Sequence, residues 1–283
     1  MTFPAITRRH ALASGLAVAA FAPQFARAAS RLPLSGSMQQ GSLVVGRAED
    51  RGAHVTLDGE PLHVSPEGVF AFGLAWDRTT VAHVVAEFAD GIVETGDVTP
   101  IVRKYEVQRV NGLPQNTVTP PPEILERIKR EHARLAEARK TDSDHLWLAE
   151  SFDWPAPGRM SGVFGSYRID NGTPMAPHFG VDMANAEGTP IHAPTDAVVL
   201  LTDDFHLEGG FTLLDHGHGV TTHYMHQSKR LVQDGDVVKR GDVIGRIGMT
   251  GRATGPHLHW GMNWFAVRLD PSLSTRTPAP PPA

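Results

Sequence analysis

Residues 253–261 read ATGPHLHWG, two histidines one residue apart between a Gly-Pro and a Trp-Gly. A strand repeats every two residues and rises about 3.3 Å per residue, so His257 and His259 would share a face with Cα atoms roughly 6.7 Å apart. One imidazole could then hold a metal while the other reaches a molecule bound beside it. A pair of polar residues on a solvated strand face reads equally well from these nine residues alone. The rest of the chain decides between the two.

Histidine occurs 15 times in 283 residues, and nine of the copies fall between positions 178 and 259. Cysteine is absent, which removes disulfides and thiolate metal sites. A transition-metal site would have to use imidazole and carboxylate, a donor set that suits zinc. Hydrophobic residues at 41% and charged residues at 20% fit a globular chain, and 28 glycines with 22 prolines favour short strands and turns over a helical bundle. The formal net charge is −5, which argues against non-specific nucleic-acid binding, since that needs a basic surface.

The N-terminal stretch ITRRHALASGLAVAAFAPQFARAAS has a basic start, a short apolar run and the small-x-small site Ala26-Arg27-Ala28. Residues 1–28 are therefore expected to be a cleaved export signal, leading to a periplasmic or exported protein. Arg8 and Arg9 resemble a twin-arginine signal, although Ala11 stands where Phe is usual, so a general secretory route stays open. Cleavage removes three arginines and no acid, leaving 23 basic against 31 acidic residues, a balance of −8. No other segment is long and apolar enough to span a bilayer.

Five short β-branched or aromatic runs between residues 40 and 110, separated by turn signals such as LDGE, SPEG and FADG, predict a small antiparallel sandwich of Ig-like kind over 36–110. His54, His63 and His83 are expected on its strand faces. Residues 111–150 read as a Pro-rich linker and a spacer helix, with Thr119 as its cap and Glu123 in its first turn. Ile124, Ile128 and Leu135 would dock one narrow stripe, leaving Arg127, Lys129, Arg130 and Arg134 on solvated faces. Residues 151–272 return to β texture with glycine throughout and are expected to form one antiparallel domain, and 273–283 a disordered tail. The fold class is mainly β.

A second metal-like pair lies in PHFGVDM, His178 and Asp182. On a straight strand they would be about 13 Å apart, too far to share an ion, so the chain must bend between them, and Gly180 would permit the bend. Two His and one Asp fit a catalytic zinc that keeps a fourth position open; an ordinary loop with a capping Asp fits the spacing as well.

The segments HFGVD, YMH, GTPIHAPTDAVV and VVKRGDVIGRIGMTGRATGPHLHW, in that family's order, together resemble the lysostaphin/LytM-type zinc endopeptidases that cut peptidoglycan peptides. The resemblance runs from about GVFGSYR to WGMNW, over a third of the chain. It implies a groove over an antiparallel sheet with Zn2+ at its floor, held by His178, Asp182 and His259. It further implies His257 as general base and acid, and His226 as the group that steadies the attacking water or the oxyanion. The partners it implies are peptidoglycan peptide stems, with the bond between D-alanine and a diamino acid favoured. Family members with degraded metal sites act instead as non-catalytic wall-binding modules that activate cell-wall amidases; here all five positions are intact. His223, three residues before His226, is expected on the opposite face of its strand and purely structural. His216 is expected beside the site, and His192 and His218 at rim or turn positions. Gln227, where leucine is usual, leaves the local shape of the groove open.

Overall fold

The computed structural model describes residues 30–280, so the expected export signal lies outside the described residues. The fold is mainly β. At the N-terminal end, Leu34–Ser35, Leu43–Arg47 and Val69–Gly73 form one antiparallel sheet, and Glu60–Pro61, His54–Leu57, Val84–Glu87 and Val93–Thr95 a second. Val55, Leu57, Val84 and Ala86 alternate inward from the second sheet and meet Val44, Phe70 and Phe72 of the first in one apolar core. Burying each of those phenylalanines contributes about 2–3 kcal/mol before entropy is charged against it. Gly46 stands under the Phe70 ring, where a Cβ would lie 2.0 Å from it.

The strand Val69–Gly73 is buried along its whole length, and the two-residue repeat explains why. Phe70 and Phe72 enter the N-terminal core, whereas Ala71, with Leu43, faces the core of the C-terminal part beside Phe164 and Leu269. The two halves are thus packed sheet against core. An ion pair of 2.8 Å from Arg103 to the buried Asp270 joins them, and the rings of His63 and His218 stack at 4.0 Å. His63 therefore sits at this junction and not on an open strand face.

Two boundaries differ from the sequence reading. Val107–Val110, expected to close the N-terminal sandwich, pairs in parallel with Tyr167–Asp170 of the C-terminal part. Residues at the start of the expected tail are tied down as well. Phe152 bridges in parallel to Thr275, its amide donating to the Ser274 carbonyl and its carbonyl accepting from the Arg276 amide, both at 3.0 Å, and Trp154 Nε1 donates to the Thr277 carbonyl at 2.9 Å.

The long helix spans Pro122–Ala138 and begins after Pro121, which offers no side-chain cap; Thr119 instead ends a one-turn helix, Gln115–Val118. Its buried stripe is Ile128, Glu131 and Leu135. Leu135 packs on Leu201, Phe205, Phe211 and Leu213, and Glu131 Oε2 accepts from the His206 amide at 2.9 Å. Arg134 pairs with Asp203, so part of the basic face holds the helix to the hairpin beneath it.

The C-terminal part is built on one antiparallel sheet in the order Val237–Val238, Ala197–Phe205, Gly209–Asp215, Val220–Gln227, His257–Trp264, Val181–Ala184, Arg159–Gly162, with Val267–Leu269 also on the His257–Trp264 strand. Leu258, Trp260 and Met262 point from that strand into the core with Tyr224 and Met183. By period 2, His257, His259 and Gly261 are left on the other face.

Candidate metal centre

Asp182 stands directly opposite His259 in the antiparallel register of Val181–Ala184 against His257–Trp264. His178 reaches the same point from the loop before Val181. Its Nε2 lies 3.0 Å from Asp182 Oδ1 and 2.9 Å from His259 Nδ1, and His259 Nδ1 lies 2.9 Å from Asp182 Oδ1. All three residues are buried. Among the described residues these three are the one His/Asp/Glu group whose donor atoms come within 4.8 Å of one another.

The surroundings set each donor. His178 Nδ1–H donates to the Val163 carbonyl at 3.1 Å, which leaves Nε2 with a lone pair turned to the centre. Arg168 donates to Asp182 Oδ2 at 2.8 Å, leaving Oδ1 toward the histidines. Burial works to raise the Asp182 pKa, but His178 and His259 together hold the carboxyl well below the usual carboxylate range. Burial pushes His259 down to about 4, with Asp182 opposing. Near neutral pH the site therefore presents an ionised carboxylate and a neutral His259, the forms that bind a cation. Two imidazoles and one carboxylate converging on a buried point fit zinc's donor preferences and its three-ligand catalytic sites.

Glycine makes the convergence possible, by providing room. A Cβ on Gly180 would lie 2.5 Å from His259 Nε2, and one on Gly162 would lie 2.1 Å from Asp182 Oδ2. Gly180 is thus required by the close approach of the His259 ring, and its φ lies outside the left-handed region.

His226 and His257 face each other over this centre, their ring centroids 4.7 Å apart. His257 Nδ1–H donates to the Gly255 carbonyl at 2.8 Å, and its Nε2 lies 3.9 Å from Asp182 Oδ1. His226 Nδ1–H donates to the Thr250 carbonyl at 2.8 Å. Both rings thereby turn Nε2 into the site. Burial, reinforced by His257 and His259, pushes the His226 pKa well below the ordinary imidazole value.

The five residues singled out from the sequence thus come together, and a sixth joins them. His223 is 1% exposed and lies opposite Gly261 in the register of Val220–Gln227 against His257–Trp264, on the face that carries His257 and His259. The parity argument that placed it on the far face fails because His226 has a φ of +64° and the pairing with Gly209–Asp215 shifts register there. The kink swings His226 round to the face that His223 already occupies. His216, expected beside the site, lies on the other face. Its Nε2 is 2.8 Å from Thr222 Oγ1, which in turn meets the Tyr224 hydroxyl at 2.9 Å in the core. Gln227 is buried and donates to Thr212 Oγ1. His132 of the long helix, which nothing in the sequence marked, borders the same groove through its contact with Glu208.

Residues 176–271 match the model of Peptidase family M23. Over 103 residues the chain is 43% identical to the peptidoglycan DD-endopeptidase ShyA of Vibrio cholerae, a match covering 36% of this chain and 24% of that protein. It is 37% identical over 122 residues to the DD-carboxypeptidase/endopeptidase Mpg of Neisseria meningitidis, covering 43% of this chain and 26% of that one. The matched segment thus spans about a quarter of the length of these curated relatives. A crystal structure from Pseudomonas aeruginosa described as a peptidase M23 superposes with a TM-score of 0.63 at 29% identity, over 83% of this chain and 93% of that one.

Proposed function

Because residues 176–271 match peptidase family M23, we propose that the chain is an exported zinc metalloendopeptidase that hydrolyses peptide cross-links of peptidoglycan, at the bond between D-alanine and a diamino acid. The observation that carries this reading is the convergence of His178, Asp182 and His259 beneath the facing pair His226 and His257. The names of the curated relatives support the choice of substrate, and a peptidoglycan substrate supports export. Among the described residues no helix is long and apolar enough to cross a membrane.

His178 Nε2, Asp182 Oδ1 and His259 Nδ1 would hold the zinc. Bound there, zinc polarises the scissile carbonyl and brings the pKa of water down to about 7. His257, with Nδ1–H committed to Gly255, offers a basic Nε2 that takes the proton of the attacking water and passes it to the leaving amine. His226, neutral and committed through Nδ1–H to Thr250, offers an acceptor Nε2 that orients that water. It can donate to the developing oxyanion only after gaining a proton. Arg168 fixes the Asp182 carboxylate so that one oxygen alone faces the centre.

Elemental analysis of the purified chain, together with digestion of purified sacculi, tests the reading. One zinc per chain, loss of cross-linked muropeptide dimers, gain of monomers and uncut glycan strands are expected. A zinc-free chain that binds sacculi without cutting them would instead be a wall-binding module. Cleavage of pentaglycine with an unchanged dimer fraction would overturn the choice of bond and leave the metal chemistry standing.

A further inference from the structure

A cavity of about 370 Å³ opens beside the metal centre, and its walls carry four arginines, Arg109, Arg159, Arg168 and Arg252, with Asp182 and His257 at its inner end. Such a concentration of positive charge stands out in a chain whose net charge is −5. Arg168 is held by Asp182, and Arg252 lies 3.9 Å from Asp170. Arg109 and Arg159 are exposed and form no ion pair among the described residues. Two arginines at the cavity wall thus carry uncompensated charge, and a guanidinium fork matches a carboxylate in two parallel bonds.

Position says which part of a substrate the cavity would meet. His257 lines it, whereas His226 lines a second cavity of about 250 Å³ together with His178 and His259, and Arg168 and Arg252 border both. If His257 delivers the proton to the leaving amine, the residue that carries that amine lies on the side of Arg109 and Arg159, which border the His257 cavity and not the other. We infer that this cavity is a carboxylate subsite, in which Arg109 and Arg159 bind the free carboxylate of the residue supplying the leaving amine. The enzyme then selects a diamino diacid, whose carboxylate sits beside the cleaved amide, over a lysine-type diamine that has only a methylene there. This inference rests on the endopeptidase reading and adds the chemistry of the leaving residue to it.

Both arginines lie outside the family-matched segment, residues 176–271. Arg159 opens the strand Arg159–Gly162 at the sheet edge. Arg109 is brought in by the parallel pairing of Val107–Val110 with Tyr167–Asp170, where it stands opposite Ile169. Gln108 of the same strand donates to the Ser161 carbonyl at 3.2 Å, which ties the strand to the sheet edge that carries Arg159. The strand's pairing supplies a wall to the cavity and a cation to the wall.

The test uses the zinc-loaded full chain and three synthetic substrates, each a D-alanyl amide on a diamino residue. One has the free carboxylate next to the scissile nitrogen, one the carboxamide there, and one is lysine-type. The expected result is a kcat/KM about tenfold or more lower for the carboxamide and lysine-type substrates, arising in KM. In the Arg109→Gln/Arg159→Gln double variant the ratio between carboxylate and carboxamide substrates should collapse toward one, with the melting temperature kept because both side chains are exposed. Equal rates on all three substrates, or a preference that survives the double substitution, would overturn the inference while leaving the endopeptidase reading intact. Calorimetric binding of the carboxylate and carboxamide product peptides is measured in parallel. If no substrate is cleaved, an arginine-dependent preference for the carboxylate peptide still supports the subsite, and the failure falls on the endopeptidase reading. Absence of that preference sinks the subsite as well.

Discussion

His223 lies nearly parallel to His259 on the metal face of the sheet, the ring centroids 5.7 Å apart and the planes inclined by 27°. On its other side it stacks on Phe211 at 6.1 Å, and neither of its nitrogens has a hydrogen-bond partner among the described residues. Its ring fills the space over Gly261, where a Cβ would fall 2.2 Å from it. His223 is therefore a wall that holds the ring of a proposed metal ligand from behind. Groups that orient a ligand in this way typically govern metal affinity by roughly ten- to a hundredfold. His223→Ala should fold, with reduced stability, and lose zinc to a competing chelator at correspondingly lower chelator concentration. Unchanged zinc affinity would show that His259 keeps its place without it.

Gly180→Ala should be more damaging to the metal than its small size suggests. The added methyl would meet His259 Nε2 at 2.5 Å and the Trp260 carbonyl at 2.7 Å, distances that force the ring or the strand to move. Backbone of the strand Val181–Ala184 is pinned on both edges by pairing, so the imidazole yields first. The expected outcome is a folded protein with substoichiometric zinc in elemental analysis. Full occupancy would mean that the loop absorbs the methyl without moving His259.

His257→Ala and His226→Ala should both keep zinc, because neither ring is among the three donors that converge on the centre. Both should lose cleavage of sacculi by a factor on the order of a hundred or more, as expected for groups that move or orient protons in the reaction. A variant that loses its metal instead would move that residue from the catalytic pair to the ligand set.

The histidine geometry was legible wherever a strand stayed regular. His257 and His259 share a face because His257–Trp264 keeps its two-residue repeat without interruption. Counting failed at His223 because one residue, His226, leaves the extended region, and a single left-handed position inverts the parity of all that precedes it. The capture of Val107–Val110 by Tyr167–Asp170 left no local mark either. An exposed edge strand pairs with whatever edge tertiary packing brings near it. The same holds for Ser274 and Thr277, whose proline-rich neighbourhood reads as a tail until Phe152 and Trp154 bind it. Gly180 was visible in the sequence, but the approach of His259 that demands it is a contact 79 positions away.

The pH dependence of stability should carry a contribution from His216, which is remote from the metal ligands. Burial pushes its pKa from 6.5 down to about 4, with the hydrogen bond to the Asp196 carbonyl opposing. Its ring is fully buried, packed edge-on against Phe152 at 5.0 Å. The unfolded chain accepts a proton on this histidine below about pH 6.5, whereas the folded chain resists until about pH 4. Its contribution is thus fully present above pH 6.5, declines as pH falls through that window, and levels off below it, a change on the order of 3 kcal/mol. His216→Asn removes the titrating group. The variant should be less stable at pH 7, where the ring packing is lost, yet its stability should fall less steeply than the parent's between pH 6.5 and 4. Denaturant unfolding of both proteins at matched excess zinc measures the difference between the two curves, in which the proton linkage of the metal site cancels. Parallel curves across that window would show that His216 does not resist protonation in the folded state, and that its burial carries no penalty for charge.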